Sequence, residues 1–228
     1  MGWHRKILRI NLTAGTVKSE PLNMEWAQKY LGQRGLATKY LLEEIDPKTD
    51  AMGPGNKLIF ATGPLTGTAA STGGRYSVIT KGPLTNAIAC SNSGGYFGAE
   101  LKFAGWDMII MEGKSPKPVY ILIQDDKCEI KDASALWGTS VWHTDESIKK
   151  EHQDPMMHIA CIGIAGEKGC LYSAIVNDLH RAAGRSGVGA VMGSKNVKAV
   201  AVRGTGGVKV KDGRAFLKAT AEGKKVLQ

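Results

Sequence analysis

The sequence is short of cysteines, aromatics, long apolar runs and acidic residues, and each shortage removes a class of protein. Its four cysteines, Cys90, Cys128, Cys161 and Cys170, are widely and unevenly spaced. That spacing excludes a zinc ribbon, an iron–sulfur ligand run and a small disulfide scaffold, and leaves core or strand thiols in a reducing compartment. No apolar stretch reaches the roughly twenty residues of a membrane span, so a cytoplasmic location without a membrane span is expected. Aromatics make up 7% of the chain and form no clustered stacking platform, and no helix-turn-helix pattern is present, so no nucleic-acid partner is expected. Asp and Glu number 21 against 30 Lys and Arg, a formal charge of +9. Because the lysines are scattered, this surplus favours a compact pocket for an anionic ligand.

What remains is a globular chain of 228 residues, 43% hydrophobic, long enough to bury a sizeable core. Ile7–Leu12 and Val17–Glu20 flank Thr13-Ala14-Gly15-Thr16 and predict a β-hairpin. Asn23 is placed to cap one helix running from about Met24 to Ile45, which Gly32 and Gly35 weaken or break. Strands are predicted at Leu58–Ala61, Arg75–Thr80, Met108–Glu112, Val119–Ile123, Cys128–Ile130, His158–Ile162, Leu171–Val176 and Val197–Val202. A short amphipathic helix is predicted from Thr144 towards His152. Many strands, few helices and no strict alternation imply an α+β fold of two mixed, mainly antiparallel β-sheets with a few flanking helices. The pattern loosens after Gly204, and Asp212 opens a new helix whose apolar Phe216 and Leu217 have no evident cover. Residues 1–204 are therefore expected to form a domain, and 205–228 a linker and the start of a further helical one.

Two glycine-rich stretches carry the functional signal. In Asn92-Ser93-Gly94-Gly95-Tyr96-Phe97-Gly98, bare backbone N–H groups precede a helix with no acidic residue expected in its first turn, so they can face an anion. The second, from His180 to Lys195, joins Arg181, Arg185 and Lys195 to Gly184, Gly187, Gly189 and Gly193. With Arg75 after Gly73-Gly74, guanidinium forks lie beside flexible backbone, a pattern that suits phosphate or a heterocycle. The second stretch is a poor dinucleotide fingerprint, since its third glycine comes one position late, and it is not a P-loop. His158 and Cys161, three apart on a strand, point to opposite faces and are expected in the core rather than on a metal. Asp107, Glu112, Asp125 and Asp126 are expected to face water near strand ends. Nothing in the chain looks like a catalytic nucleophile.

These motifs, with Ala61-Thr62-Gly63-Pro64-Leu65-Thr66-Gly67 and Gly73-Gly74-Arg75-Tyr76, resemble the N-terminal domain of the tungsten-containing aldehyde ferredoxin oxidoreductases, from Trp3 to Gly204. The resemblance implies two β-sheets forming a base under a tungsten or molybdenum atom held by two phosphate-bearing pterins. It places Arg75 between a pterin and a neighbouring [4Fe-4S] cluster, whose ligands lie outside this chain. Asn92 and Ala182 would offer backbone carbonyls to a magnesium ion bridging the phosphates, while Ser93, Gly94, Gly95, Arg181, Gly184 and Arg185 would bind the cofactor. No catalytic residue is implied within this stretch. For a complete enzyme the resemblance implies oxidation of an aldehyde to a carboxylic acid, with electrons passing to ferredoxin or an iron–sulfur subunit, and it allows a homodimer. The alternative is a non-catalytic metallopterin-binding scaffold or subunit.

Overall fold

The computed structural model describes residues 2–227. The chain opens with the hairpin of β1 (Lys6–Asn11) and β2 (Thr16–Pro21), turned at Gly15 with φ 64°. The helix expected over Met24–Ile45 is instead two, α1 (Met24–Tyr30) and α2 (Gln33–Glu44). Asn23 caps the first as expected, its Oδ1 accepting from Trp26 N at 3.0 Å. The break falls at Leu31, which adopts φ 65°, and at Gly32, where a Cβ would lie 2.9 Å from Thr62 O. Gly35 stays helical.

Next come β3 (Leu58–Ala61), β4 (Tyr76–Lys81), β5 (Ile88–Ser93), α3 (Phe97–Phe103) and β6 (Met108–Glu112). The first sheet has the order β2-β1-β6-β3-β4-β5, antiparallel except for β1 beside β6. Strand β5 was not expected, because Ala, Cys, Ser and Asn carry weak strand propensity. Its small residues Ala89, Ser91 and Ser93 nevertheless alternate inward beside the fully buried β4.

The second sheet follows the same plan. Its elements are β7 (Val119–Gln124), β8 (Lys127–Asp132), α4 (Val141–Glu151), β9 (His158–Cys161), α5 (Ile164–Glu167), β10 (Ile175–Asn177), β11 (Arg181–Ala183), α6 (Val188–Ser194) and β12 (Val197–Arg203). The order is β11-β10-β9-β12-β7-β8, with only β12 and β7 parallel. Two expectations shift here. Helix α4 starts three residues before Thr144, because Ser140 caps it by accepting from His143 N at 3.2 Å. Leu171 and Tyr172 form a turn and Ser173 and Ala174 are irregular, leaving Ile175–Asn177 as the strand.

The period-two alternation of the strands sorts the core into layers. Leu8, Ile10, Phe60, Tyr76 and Val78 of the first sheet face Ile121, Ile123, Ile175, Val200 and Val202 of the second. On the far side of the first sheet, Ile7, Ile59, Ile79 and Ile110 pack under Leu36 and Leu41 of α2. Ile148 of α4 covers Tyr120, Leu122 and Ile159 on the far side of the second. Each fully buried apolar side chain contributes about 1.5–3 kcal/mol, so this double layer fixes the seam between the sheets. Beyond β12 the backbone is irregular until Asp212 caps α7 (Gly213–Val226), which buries none of its residues.

Three of the four strand-end carboxylates are corrected by this packing, while Asp126 is exposed as expected. Asp107 is buried and paired with Lys102 Nζ, while accepting from His4 N at 3.1 Å and Arg5 N at 2.6 Å. Glu112 joins Arg9, Lys57 and Glu44 in a half-buried ion network. Asp125 accepts from Thr205 N at 2.7 Å. Each sits where chain crossings supply donors, which local sequence does not reveal.

Candidate functional site

Strands β5 and β11 are the edges of their sheets and lie side by side at the seam, so their outer backbone groups are unpaired within either sheet. A cavity of about 860 Å³ opens there, walled by the α1–α2 break and by Asn92, Ala182, Gly184 and Arg185. A second, of about 520 Å³, is lined by Arg75, Gly94, Gly95, Tyr96, Asp178, His180 and Arg181. Among the sequence-derived site residues, all but Ser93 border one or the other. Asn92 joins the cavities, since Arg75 Nη1 donates to Asn92 Oδ1 and Asn92 Nδ2 donates to Tyr76 O at 3.1 Å. Gln33 Nε2 steadies Arg75 by donating to its carbonyl at 3.0 Å. Ser93 turns its side chain inward: it is buried and its Oγ donates to Asn177 Oδ1 at 2.6 Å.

The Gly94–Gly95 turn does face an anion, but the anion belongs to the protein. Asp178 Oδ2 accepts from Tyr96 N at 2.8 Å and from Phe97 N at 3.2 Å. Glu100 also lies in the first turn of α3, contrary to expectation. Beside Asp178, Asn177 Nδ2 donates to Gly94 O at 2.9 Å, and Asn177 Oδ1 accepts from Tyr76 OH at 3.0 Å. Gly95, at φ 87°, is demanded by this clasp, because a Cβ there would stand 2.4 Å from Asp178 Oδ2. Gly94 differs: a Cβ on it would meet nothing within 4 Å, leaving its face open.

His158 is likewise corrected from core to clasp, its Nδ1 2.6 Å from Asp178 Oδ1 and its ring 5.5 Å from that of Tyr96. Cys161 is in the core as expected, and burial pushes its thiol up to about 12. Burial raises the Asp178 carboxyl, but the bonds from His158, Tyr96 and Asn177 outweigh it and hold the group below the usual carboxylate range. A folded value below the unfolded one stabilises the fold above the unfolded value, near pH 3.9, and is lost as pH falls through the folded value. Urea midpoints between about pH 5 and 3 are expected to fall less steeply for Asp178→Asn than for the wild type.

The second glycine-rich stretch divides between two tasks. Arg181, Ala182, Gly184 and Arg185 reach the cavities, whereas Gly187, Gly189 and Gly193 serve packing. Cβ atoms on the latter would lie 2.0 Å from Leu171 O, 2.5 Å from Ala174 O and 2.1 Å from Gly166 O. Lys195 is buried and lines neither cavity, donating to Gly113 O at 3.0 Å and to Asn56 O, and burial lowers it to about 8.

Sequence reasoning missed Arg34, Gln33 and Cys90 on the larger cavity, and Asp178 on the smaller. Gly32 and Gly35 were the available signal for the first two, since they flank the first residues of α2 just past the break between the two helices. Arg34 reaches the Cys90 thiol and opposes the upward push of burial on it. No His, Cys, Asp and Glu cluster that could hold a metal occurs among the described residues. No helix among them is long and apolar enough to cross a membrane.

Two packed mixed sheets, with arginines and glycines gathered at their edge seam, define an α+β domain built around a basic cleft. The model of the aldehyde ferredoxin oxidoreductase N-terminal domain matches residues 7–204, and the chain belongs to that family. It is 58% identical over 221 residues to a tungsten-containing aldehyde ferredoxin oxidoreductase of Pyrococcus abyssi, an alignment covering 97% of this chain and 36% of the relative. A tungsten-containing aldehyde ferredoxin oxidoreductase of Thermococcus kodakarensis is 59% identical over 215 residues, covering 94% and 35%. Among solved structures, the active-site complex BamBC of benzoyl coenzyme A reductase, bound to 1,5-dienoyl-CoA, superposes with a TM-score of 0.95 at 40% identity. That match covers 97% of this chain and 34% of the other. The chain thus spans about a third of the length of the relatives it matches.

Proposed function

We propose that this chain forms the base on which a tungsten or molybdenum bis-pterin is held, in an enzyme that oxidises aldehydes to carboxylic acids. The observation that carries this reading is the convergence of Arg75, Asn92, Gly94, Arg181, Ala182, Gly184 and Arg185, from three separated stretches, on two adjoining cavities. The donor set fits such a ligand. Arg34 and Arg185 supply forked donors for phosphate in a cavity without a carboxylate, and the open face of Gly94 admits a flat ring. The carbonyls of Asn92 and Ala182, on neighbouring edge strands, are hard oxygen donors of the kind a phosphate-bridging magnesium ion takes. When bound, the metallopterin supplies the two-electron redox chemistry. The chain's own residues bind and orient it: arginines neutralise phosphate, glycine backbone allows close approach, and the Asn177–Asp178 clasp holds the wall.

In this reading Arg75 would lie between a pterin and a [4Fe-4S] cluster ligated by residues outside this chain, a group that would supply electron transfer towards ferredoxin or an iron–sulfur subunit. Residues 205–228 lead into a further helical domain, whose packing would cover the exposed Leu217 and Val226 of α7. Because one similar structure is a benzoyl coenzyme A reductase complex, the reacting substrate is set by parts of the protein beyond this base.

The test is elemental analysis with pterin quantification on the natural polypeptide that contains this sequence, purified without oxygen. About one tungsten or molybdenum and two pterins per chain are expected. A matured protein with neither metal nor pterin would overturn the assignment and put a scaffold role in its place.

A further inference from the structure

In that reading the Asp178 carboxylate only holds the wall, yet it is bonded on every side. Its Oδ2 takes the N–H groups of Tyr96 and Phe97 and Asn177 Nδ2, the last at 2.8 Å, while Oδ1 faces His158. Asp178 belongs to the second sheet's β10–β11 turn, and Tyr96 and Phe97 to the first sheet's α3 entry. The residue also adopts φ 49°, a left-handed conformation that Asp tolerates and most side chains do not.

Its position gives the two cavities different charge. The larger holds Arg34 and Arg185 and no carboxylate, whereas the smaller sets Asp178 beside Arg75 and Arg181. A second anion brought within about 4–6 Å of a carboxylate is repelled. We propose that Asp178 is a specificity-determining residue of the cleft: its carboxylate bars phosphate from the Gly94–Phe97 wall and confines the phosphate-bearing end of the ligand to the Arg34–Arg185 cavity. The wall of Gly94 and Gly95 is then left to an uncharged, flat portion of the same ligand. This inference deepens the metallopterin reading and rests on it for the ligand's identity, but not for the placement of phosphate.

The test is a titration of the 228-residue chain with inorganic phosphate, followed by backbone and arginine-side-chain NMR, for wild type, Asp178→Asn and Asp178→Ala. In the wild type, saturable shifts are expected at Arg34, Gly184 and Arg185 and none from Gly94 to Phe97. In Asp178→Asn, new saturable shifts are expected from Gly94 to Phe97 and at Arg181, at phosphate concentrations at least about ten-fold below any that move those amides in the wild type. The response at Arg185 should stay unchanged. A residue that only tied the sheets together would give looser Tyr96 and Phe97 amides on replacement, with no gain of phosphate. A folded variant without that gain therefore overturns the proposal. So does a wild type whose Gly94–Phe97 amides titrate alongside Arg185, or whose Arg34 and Arg185 ignore phosphate. Should Asp178→Ala not fold, Asp178→Asn keeps an acceptor oxygen for the turn, and the wild-type titration stands by itself. A natural protein found without metal and pterin would sink the functional reading and leave this titration intact.

Discussion

Asp107→Ala will lower the unfolding free energy by about 3–5 kcal/mol, the cost of leaving a buried charge without its partner. Lys102 is fully buried and Asp107 nearly so, and the carboxylate also takes the N–H groups of His4 and Arg5. It therefore ties the entry of β1 to the end of α3. Burial drives the Lys102 ammonium down from its ordinary range and Asp107 opposes it, so removal of Asp107 leaves an ammonium that must lose its proton or draw in water. Urea unfolding measures the loss. The double variant Lys102→Met/Asp107→Ala is expected to cost less than the sum of the two single variants, because it leaves no orphaned charge. Additive costs would show that the pair is not coupled.

Replacing Arg34 and Arg185 together by glutamine is expected to have the largest effect on binding. Each charge-assisted hydrogen bond to phosphate is worth about 1.5–3 kcal/mol, so losing both should weaken pyrophosphate binding by roughly 10²–10⁴-fold. Calorimetry on the 228-residue chain reads this directly. Arg214→Gln, on the exposed α7, is the control for diffuse attraction by the net charge of +9. An equal loss in that control would assign binding to the general field of the protein rather than to the cavity. In the matured protein the same pair of substitutions should lower the pterin content.

The site was legible where its residues announce themselves by type and neighbours. Arginine beside glycine at Arg75, Arg181 and Arg185 is a local pattern, and the structure brings all three to the cavities. Arg34 was hidden inside the helix expected from Met24 to Ile45; the glycines marked a weak point there, but not that Leu31 and Gly32 would turn the chain and bring Arg34 to a cavity. The glycine tandem of Gly94 and Gly95 was expected to face a ligand anion, whereas the amides that follow it bond the protein's own Asp178. Its partner Asp178 lies 82 positions from Tyr96, and no local rule connects them. Gly189 and Gly193 looked like cradle glycines for the same reason, although what they approach is the backbone of Ala174 and Gly166.

By itself, the sequence determined the hairpin at Gly15, the Asn23 and Asp212 caps, most of the strands and the α+β class, because period-two alternation and capping chemistry act over a few residues. It also carried the family resemblance, in motifs that run unbroken along the chain. Only the tertiary structure decided which glycines serve packing and which leave open space, which carboxylates are buried in ion pairs, and which of two adjoining cavities is free of negative charge. Those outcomes depend on where two sheets meet, and burial and Coulomb interactions across that seam join residues far apart in the chain.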